Sequence, residues 1–229
     1  MPARSPMNND ADLADLQQHL LRLAEAVDRA IVGATWALAH RDTDEAQRVV
    51  DGDGAIDELR YAIEQDAILL LAGQQLLADD ARAISAVMLI AAELERMGDH
   101  AGGIATIVLR SAELPSMGMP AALGQMAHKA REMLQHAIRA VIQRDTEAAV
   151  RLGRIDDTID RLYQRVQWEA LPAMREHPEQ TEWATYFLWI GHNLERITDR
   201  AVNIAERAAF IATGTMAPRH VQRFLDVPL

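Results

Sequence analysis

The chain has 229 residues, room for one large domain or two of about 100 residues each. Apolar residues make up 49% and aromatics only 4%, a balance that favours helices over sheets. There is no cysteine, which excludes disulfides, thiolate metal sites and cysteine nucleophiles. The net charge of −11, with Lys129 as the one lysine, argues against a basic face for nucleic acid and favours cations or basic protein partners.

Residues 1–12 lack the apolar core of a signal peptide, and runs such as Ala67–Gly73 are too short to span a bilayer. The expectation is a soluble, cytoplasmic protein. Leu13, Leu16, Leu20, Leu23, Val27, Ile31, Ala34 and Leu38 keep the 3,4 spacing of one helical face. A break at Arg41-Asp42 follows, and Asp42 or Thr43 is the expected N-cap of a second helix running to about Ala72. Gly73 suits its C-terminal stop, and Asp79-Asp80 suits the cap of a third helix from Ala81 to about Ser111. Residues 113–120 hold two prolines and a glycine and read as a linker. Further helices are predicted at roughly 121–143, 146–170 and 181–213, with Pro172 and Pro178 bracketing the turn before the last of them and 214–229 an irregular tail.

The second set of helices repeats the first. Arg41-Asp42-Thr43-Asp44 matches Arg144-Asp145-Thr146-Glu147, and Asp53, Ile56 and Asp57 match Asp156, Ile159 and Asp160. Leu94-Glu95-Arg96-Met97-Gly98-Asp99 matches Leu194-Glu195-Arg196-Ile197-Thr198-Asp199 in the same order along the chain. The predicted architecture is all-α: two tandem antiparallel three-helix bundles related by an internal repeat, over residues 1–113 and 114–213.

Among the 34 acidic residues, only four pairs stand four apart: Asp53/Asp57, Glu95/Asp99, Asp156/Asp160 and Glu195/Asp199. With 34 acids in 229 positions chance would supply about as many, and like charges at this spacing cost only about 0.2–0.5 kcal/mol. Their placement is what carries information, because all four fall at repeat-equivalent positions. At 100° per residue, Asp99 lies about 40° from Glu95, beside the stripe of Ile84, Met88, Ala91, Gly98, Gly102 and Leu109. Carboxylates gathered beside an apolar stripe must be neutralised by protons, by arginine or by a cation. One reading is a solvated groove edge with Arg60, Arg96, Arg161 or Arg196 as partners. The other is a site for hard or borderline cations such as Fe, Mn or Mg, multinuclear because each carboxylate can bridge.

Leu94-Glu95-Arg96-Met97-Gly98-Asp99-His100 and the stretch Asn193–Glu206 resemble the signature of the PhoU family of phosphate-signalling proteins, Leu-Glu-Arg-Ile-Gly-Asp-His followed by Asn-Ile-Ala-Glu. The resemblance covers about residues 13–210 and falls in register with both repeats. It implies two three-helix bundles side by side, with a multinuclear iron or zinc cluster on each. By motif, the ligands would be Asp53, Asp57, Glu95 and Asp99 in one half and Asp156, Asp160, Glu195 and Asp199 in the other. It further implies a negative regulator, not an enzyme, that acts between the ATPase subunit of the phosphate ABC transporter and a sensor histidine kinase, as a homodimer. The chain departs from the family at Leu76, where a proline is usual, and at Thr198 and Arg200, which replace Gly and His; Gly103 and Thr106 stand where the second half keeps Asn203 and Glu206.

His100 is weighed as an additional ligand, and Trp36, Trp168, Trp183 and Trp189 are expected to pack in the core. Two other functions compete: a metal-storage or metal-sensing protein outside the phosphate pathway, and a di-metal carboxylate oxidase. The oxidase class uses Glu-x-x-His motifs, and no glutamate here has a histidine three residues on.

Overall fold

The computed structural model describes residues 9–73, 77–115 and 118–215. Among them the regular structure is helical throughout: α1 (Asn9–His40), α2 (Thr43–Asp51), α3 (Asp53–Gly73), α4 (Ala78–Arg110), α5 (Ala121–Gln143), α6 (Ala148–Glu176) and α7 (Thr181–Thr213), with a 3₁₀ turn at Pro178–Gln180 before α7. None of these helices is long and apolar enough to cross a membrane.

Asp42 caps α2 as its position suggested, its Oδ1 accepting the Glu45 amide at 2.9 Å. The second predicted rod is, however, two helices. Gly52 interrupts it, because Gly52 and Gly54 on either side of Asp53 weaken helical propagation by about 1 kcal/mol each. The break lets α3 set off in its own direction from Asp53, in its first turn. Helix α4 begins three residues earlier than predicted. Leu77 is its N-cap, without a side-chain bond, and Asp79 and Asp80 lie in the first turn, where carboxylates favour the helix dipole.

Pro172 does not end α6; the helix runs through it to Glu176. This close to a C-terminus, a proline forfeits one backbone bond, and Leu171 beside it is exposed, so the local distortion disturbs no packing. Pro178 instead opens the 3₁₀ turn at its first position. Helix α7 stops at Gly214, whose φ of 74° is the left-handed conformation that glycine adopts freely. Of the predicted tail, residues 216–229 lie outside the described residues.

Each half is a set of long rods around apolar stripes: α1, α3 and α4 in the first, α5, α6 and α7 in the second. Helices α4 and α7 also pack against each other, running in opposite directions, since His100 meets Asn193 while Glu93 meets Arg200. One core results, in which Leu94, Met97, Ile104, Leu194, Ile197 and Ile204 of these two helices are fully buried. Met126 and Met133 join it, both fully buried. The tryptophans correct the reading. Only Trp183 is buried; Trp36, Trp168 and Trp189 lie on outer helix faces, Trp168 with 72% of its surface exposed. A helical period places a residue on a face without saying whether another helix covers it.

Candidate metal centre

The four predicted pairs sit on two helix–helix faces. Asp53 and Asp57 on α3 face Glu95 and Asp99 on α4; Asp160 on α6 faces Glu195 and Asp199 on α7, and Asp156 lies one turn before it on α6. Small residues at the crossings allow the approach. A Cβ on Gly98 would come within 3.0 Å of the Ile56 side chain, and one on Gly191 within 2.8 Å of the Tyr163 ring. The helices are therefore as close as glycine permits, which sets the two carboxylate-bearing faces alongside each other.

Electrostatics record that crowding. Burial, with Asp99 and Asp57 nearby, pushes the Asp53 carboxyl above the ordinary carboxylate range. Burial and Asp99 do the same to Glu95, opposed by Arg60. In the second half, burial and Asp199 raise Asp160. Burial and Asp199 lift Glu195 furthest, to about 7. Asp199 is itself raised by burial, against the pull of Arg196 and Arg200. Asp156 is only 2% exposed.

These residues offer hard oxygen donors from adjacent helices at a charge density that a cation would relieve, and that donor set fits Fe, Zn, Mn or Mg. As the side chains stand, no three Asp, Glu or His among the described residues converge tightly enough to hold an ion. A bound cation would therefore have to draw the carboxylates in by rotation of side chains on fixed helices. Beside the first set, Val50, Asp53, Asp99, Gly102, Gly103 and Thr106 line an open groove of about 320 Å³.

His100 turns elsewhere. Burial lowers its pKa, and its Nδ1 donates to the Asn193 side-chain oxygen at 3.0 Å across the seam between the halves. Next to it, Arg200 and Asn203 of α7 both donate to Glu93 of α4 at 3.3 Å. Sequence reasoning passed over Glu93. The signal was available in the repeat, which aligns Glu93 with Asn193 and His100 with Arg200, so the two seam contacts are one contact seen twice about an internal two-fold axis.

The fold and site together define a class: an all-helical tandem repeat with an acidic face on each half. The model for the PhoU domain matches residues 20–108 and again 123–208, and the chain belongs to that family. It is 32% identical to the phosphate-specific transport system accessory protein PhoU homolog of Clostridium acetobutylicum, over 90% of this chain and 94% of that one. To the homolog of the same description from Pseudomonas aeruginosa it is 31% identical, over 93% and 88%. Among solved structures, PhoU from Pseudomonas aeruginosa superposes with a TM-score of 0.87 at 29% identity, covering 91% of this chain and all of the other. The phosphate transport system regulatory protein PhoU from Streptococcus pneumoniae does so with 0.85 at 31%, over 92% and 100%.

Proposed function

We propose that this protein is a cytoplasmic negative regulator of phosphate uptake and of phosphate-starvation signalling. It works by binding the ATPase subunit of the phosphate ABC transporter and a sensor histidine kinase, as a homodimer and without catalysing a reaction. The observation that carries this reading is the family match in both halves, together with a fold shared over nearly the whole chain with PhoU structures. The negative charge of −11 suits basic partner surfaces, steering encounter over a Debye length of about 8 Å at physiological salt.

In this reading Asp53, Asp57, Glu95 and Asp99 hold one cation or cluster, and Asp156, Asp160, Glu195 and Asp199 another. A cation there would neutralise the carboxylates and tie α3 to α4 and α6 to α7. The raised carboxyl groups on both faces support the assignment, because they mark charge that folding alone leaves uncompensated.

Two measurements test the reading separately. Tag-free protein mixed with the transporter ATPase subunit and with the kinase's cytoplasmic portion should co-elute with each, and deletion of the gene should switch on a phosphate-starvation reporter in phosphate-replete medium. A reporter that stays silent would sink the regulatory role. Elemental analysis should find less metal per chain in the Glu195→Gln, Asp199→Asn double variant than in the parent, and equal content would sink the ligand assignment.

A further inference from the structure

The seam between the halves has an uncovered side. Helices α1 and α5 close one side of the α4/α7 pair, and α3 and α6 flank it, so the remaining side meets solvent. Along that side run Leu89 and Arg96 of α4, and Trp189 and Arg196 of α7. Each apolar residue stands two turns before its arginine and so on the same line of its helix. Leu89 is 42% exposed and Trp189 49%, and the two are repeat equivalents, as Glu95 is to Glu195.

The flanking helices repeat the arrangement. Arg60 of α3 comes within 3.8 Å of Glu95 on α4, and the ring of its repeat equivalent, Tyr163 of α6, lies 6.5 Å from the His192 ring on α7. These contacts mark the sides of α3 and α6 that border the open face. A little over two turns further along each helix, at the rim of that face, stand Ile68 and Leu171, again repeat equivalents, 56% and 59% exposed. One apolar spot, on α3 and α4, thus answers another, on α6 and α7. Because His100 meets Asn193 and Glu93 meets Arg200, the internal two-fold axis passes beside Arg96 and Met97 of α4. Leu89 and Trp189 therefore lie about 11 Å to either side of it, about 22 Å apart along the helices. A single exposed Leu or Trp has no meaning of its own. The same two positions left large, apolar and uncovered in both halves mark a contact surface.

We propose that this face docks a homodimeric protein whose own two-fold axis lies on the internal one, each partner protomer seating one apolar spot in a pocket edged with lysine or arginine. This rests on the reading of the chain as a regulator that works by protein contact. Symmetry and charge select that occupant. A partner without a two-fold axis would match one spot and leave its equivalent uncovered, whereas a dimer presents the same pocket to both. Glu95, Asp99, Glu195 and Asp199 lie between the spots, in a chain of net charge −11, so the surface around the pockets has to be basic. A second copy of this chain would set like charges against each other there. With both spots engaged at once, the second contact forms at the high effective concentration set by the first, so each spot contributes to holding the whole complex.

The test titrates the full-length protein into the kinase's cytoplasmic portion and, separately, into the transporter ATPase subunit, with light scattering for the mass of the complex and calorimetry for its affinity. One chain should bind per two partner protomers, more weakly at higher salt. Leu89→Ser and Trp189→Ser should each weaken binding by on the order of tenfold or more, and the double variant should bind more weakly than either. Trp36→Ser, which removes a tryptophan equally open to solvent but on α1, should bind as the parent does. One chain per partner protomer, an effect from only one of the two spots, or no response to either overturns the two-fold docking while leaving the regulatory reading intact. So does a double variant that loses self-association of the chain and keeps partner binding, since the occupant would then be a second copy. Failure of the parent to bind both proteins overturns the docking and the regulatory reading together.

Discussion

Arg200 of α7 donates to the Glu93 carboxylate of α4 at 3.3 Å, with both side chains three-quarters or more buried, and this pair bridges the two halves. By the internal repeat it stands opposite the His100–Asn193 bond, so a charged pair on one side of the seam answers a neutral one on the other. Removing one partner of such a pair strands the other. Arg200→Met should therefore destabilise the protein by about 2–4 kcal/mol, while a double change to Glu93→Leu and Arg200→Met should recover a large part of the loss. Urea unfolding of the two variants, compared at matched pH and salt, checks this. A double variant no better than the single would show that packing and not charge dominates the seam.

The glycines separate tight crossings from open faces. At Gly191 an added methyl would sit 2.8 and 2.9 Å from ring carbons of Tyr163, which it cannot do without moving α6 from α7. Gly191→Ala should cost about 1–3 kcal/mol. Gly153, also within a helix, has no atom within 4 Å of the corresponding point. There Ala should raise stability by about 0.5–1 kcal/mol through helix propensity alone. Opposite signs in denaturant midpoints are the expected outcome.

Arg41 and Arg144 are repeat equivalents, and both hold a left-handed backbone, φ 54° and 52°. Glycine would relieve that strain at either place. Arg144 closes α5, and its side chain is exposed, so Arg144→Gly should leave stability unchanged or raise it by up to about 1 kcal/mol. Arg41 differs. Its Nη2 donates to the carbonyls of Ser111, Ala112 and Leu114 at the end of α4, and its guanidinium lies 5.4 Å from the centre of the Trp183 ring on α7. The Trp183 Nε1 in turn donates to the Pro115 carbonyl at 2.8 Å. Arg41→Gly should unpin the chain between the halves, seen as a lower thermal midpoint and faster proteolytic cleavage near residues 111–120. Equal behaviour of the two variants would refute the pinning role.

Much of this was legible beforehand, and the reasons are local. Apolar spacing fixed α1, α5 and α7 because each is long, periodic and bounded by a break or a glycine. The pairing of Glu95 with Asp99 and of Glu195 with Asp199 follows from one helical turn. What escaped depends on neighbours in space. The break at Gly52 decides where Asp53 points, and the exposure of Trp168 depends on which helix fails to cover it. Periodicity cannot see either. The Glu93–Arg200 bridge needs the antiparallel crossing of α4 and α7, although the repeat already held the equivalence from which that bridge could have been drawn. The unequal depth of Asp53 and Asp156 is likewise a property of packing, since the two read alike in sequence.

That depth makes the cation-free protein sensitive to pH near neutrality. Burial and the neighbouring Asp199 raise the folded-state pKa of Glu195 to about 7, above the ordinary carboxylate value of the unfolded chain. The sign follows from linkage. A group whose pKa is raised by folding contributes stability that is fully present below its unfolded pKa, and the contribution is lost as pH rises through the folded value. Asp53, Glu95, Asp160 and Asp199 shift in the same direction and add to the trend at lower pH. Metal-stripped protein should accordingly melt at a lower temperature at pH 8 than at pH 6. Glu195→Gln, which keeps the shape and removes the charge, should raise the pH 8 midpoint and flatten the difference. On the proposed metal reading a divalent cation would bind the ionised form and displace the proton, so its affinity should climb between pH 6 and pH 8, the stripped and loaded proteins showing opposite pH trends in their melting midpoints. A stripped protein whose midpoint rises from pH 6 to pH 8 would mean that Glu195 is ionised at little cost in the fold, with the arginines around it, Arg196 and Arg200, outweighing its burial.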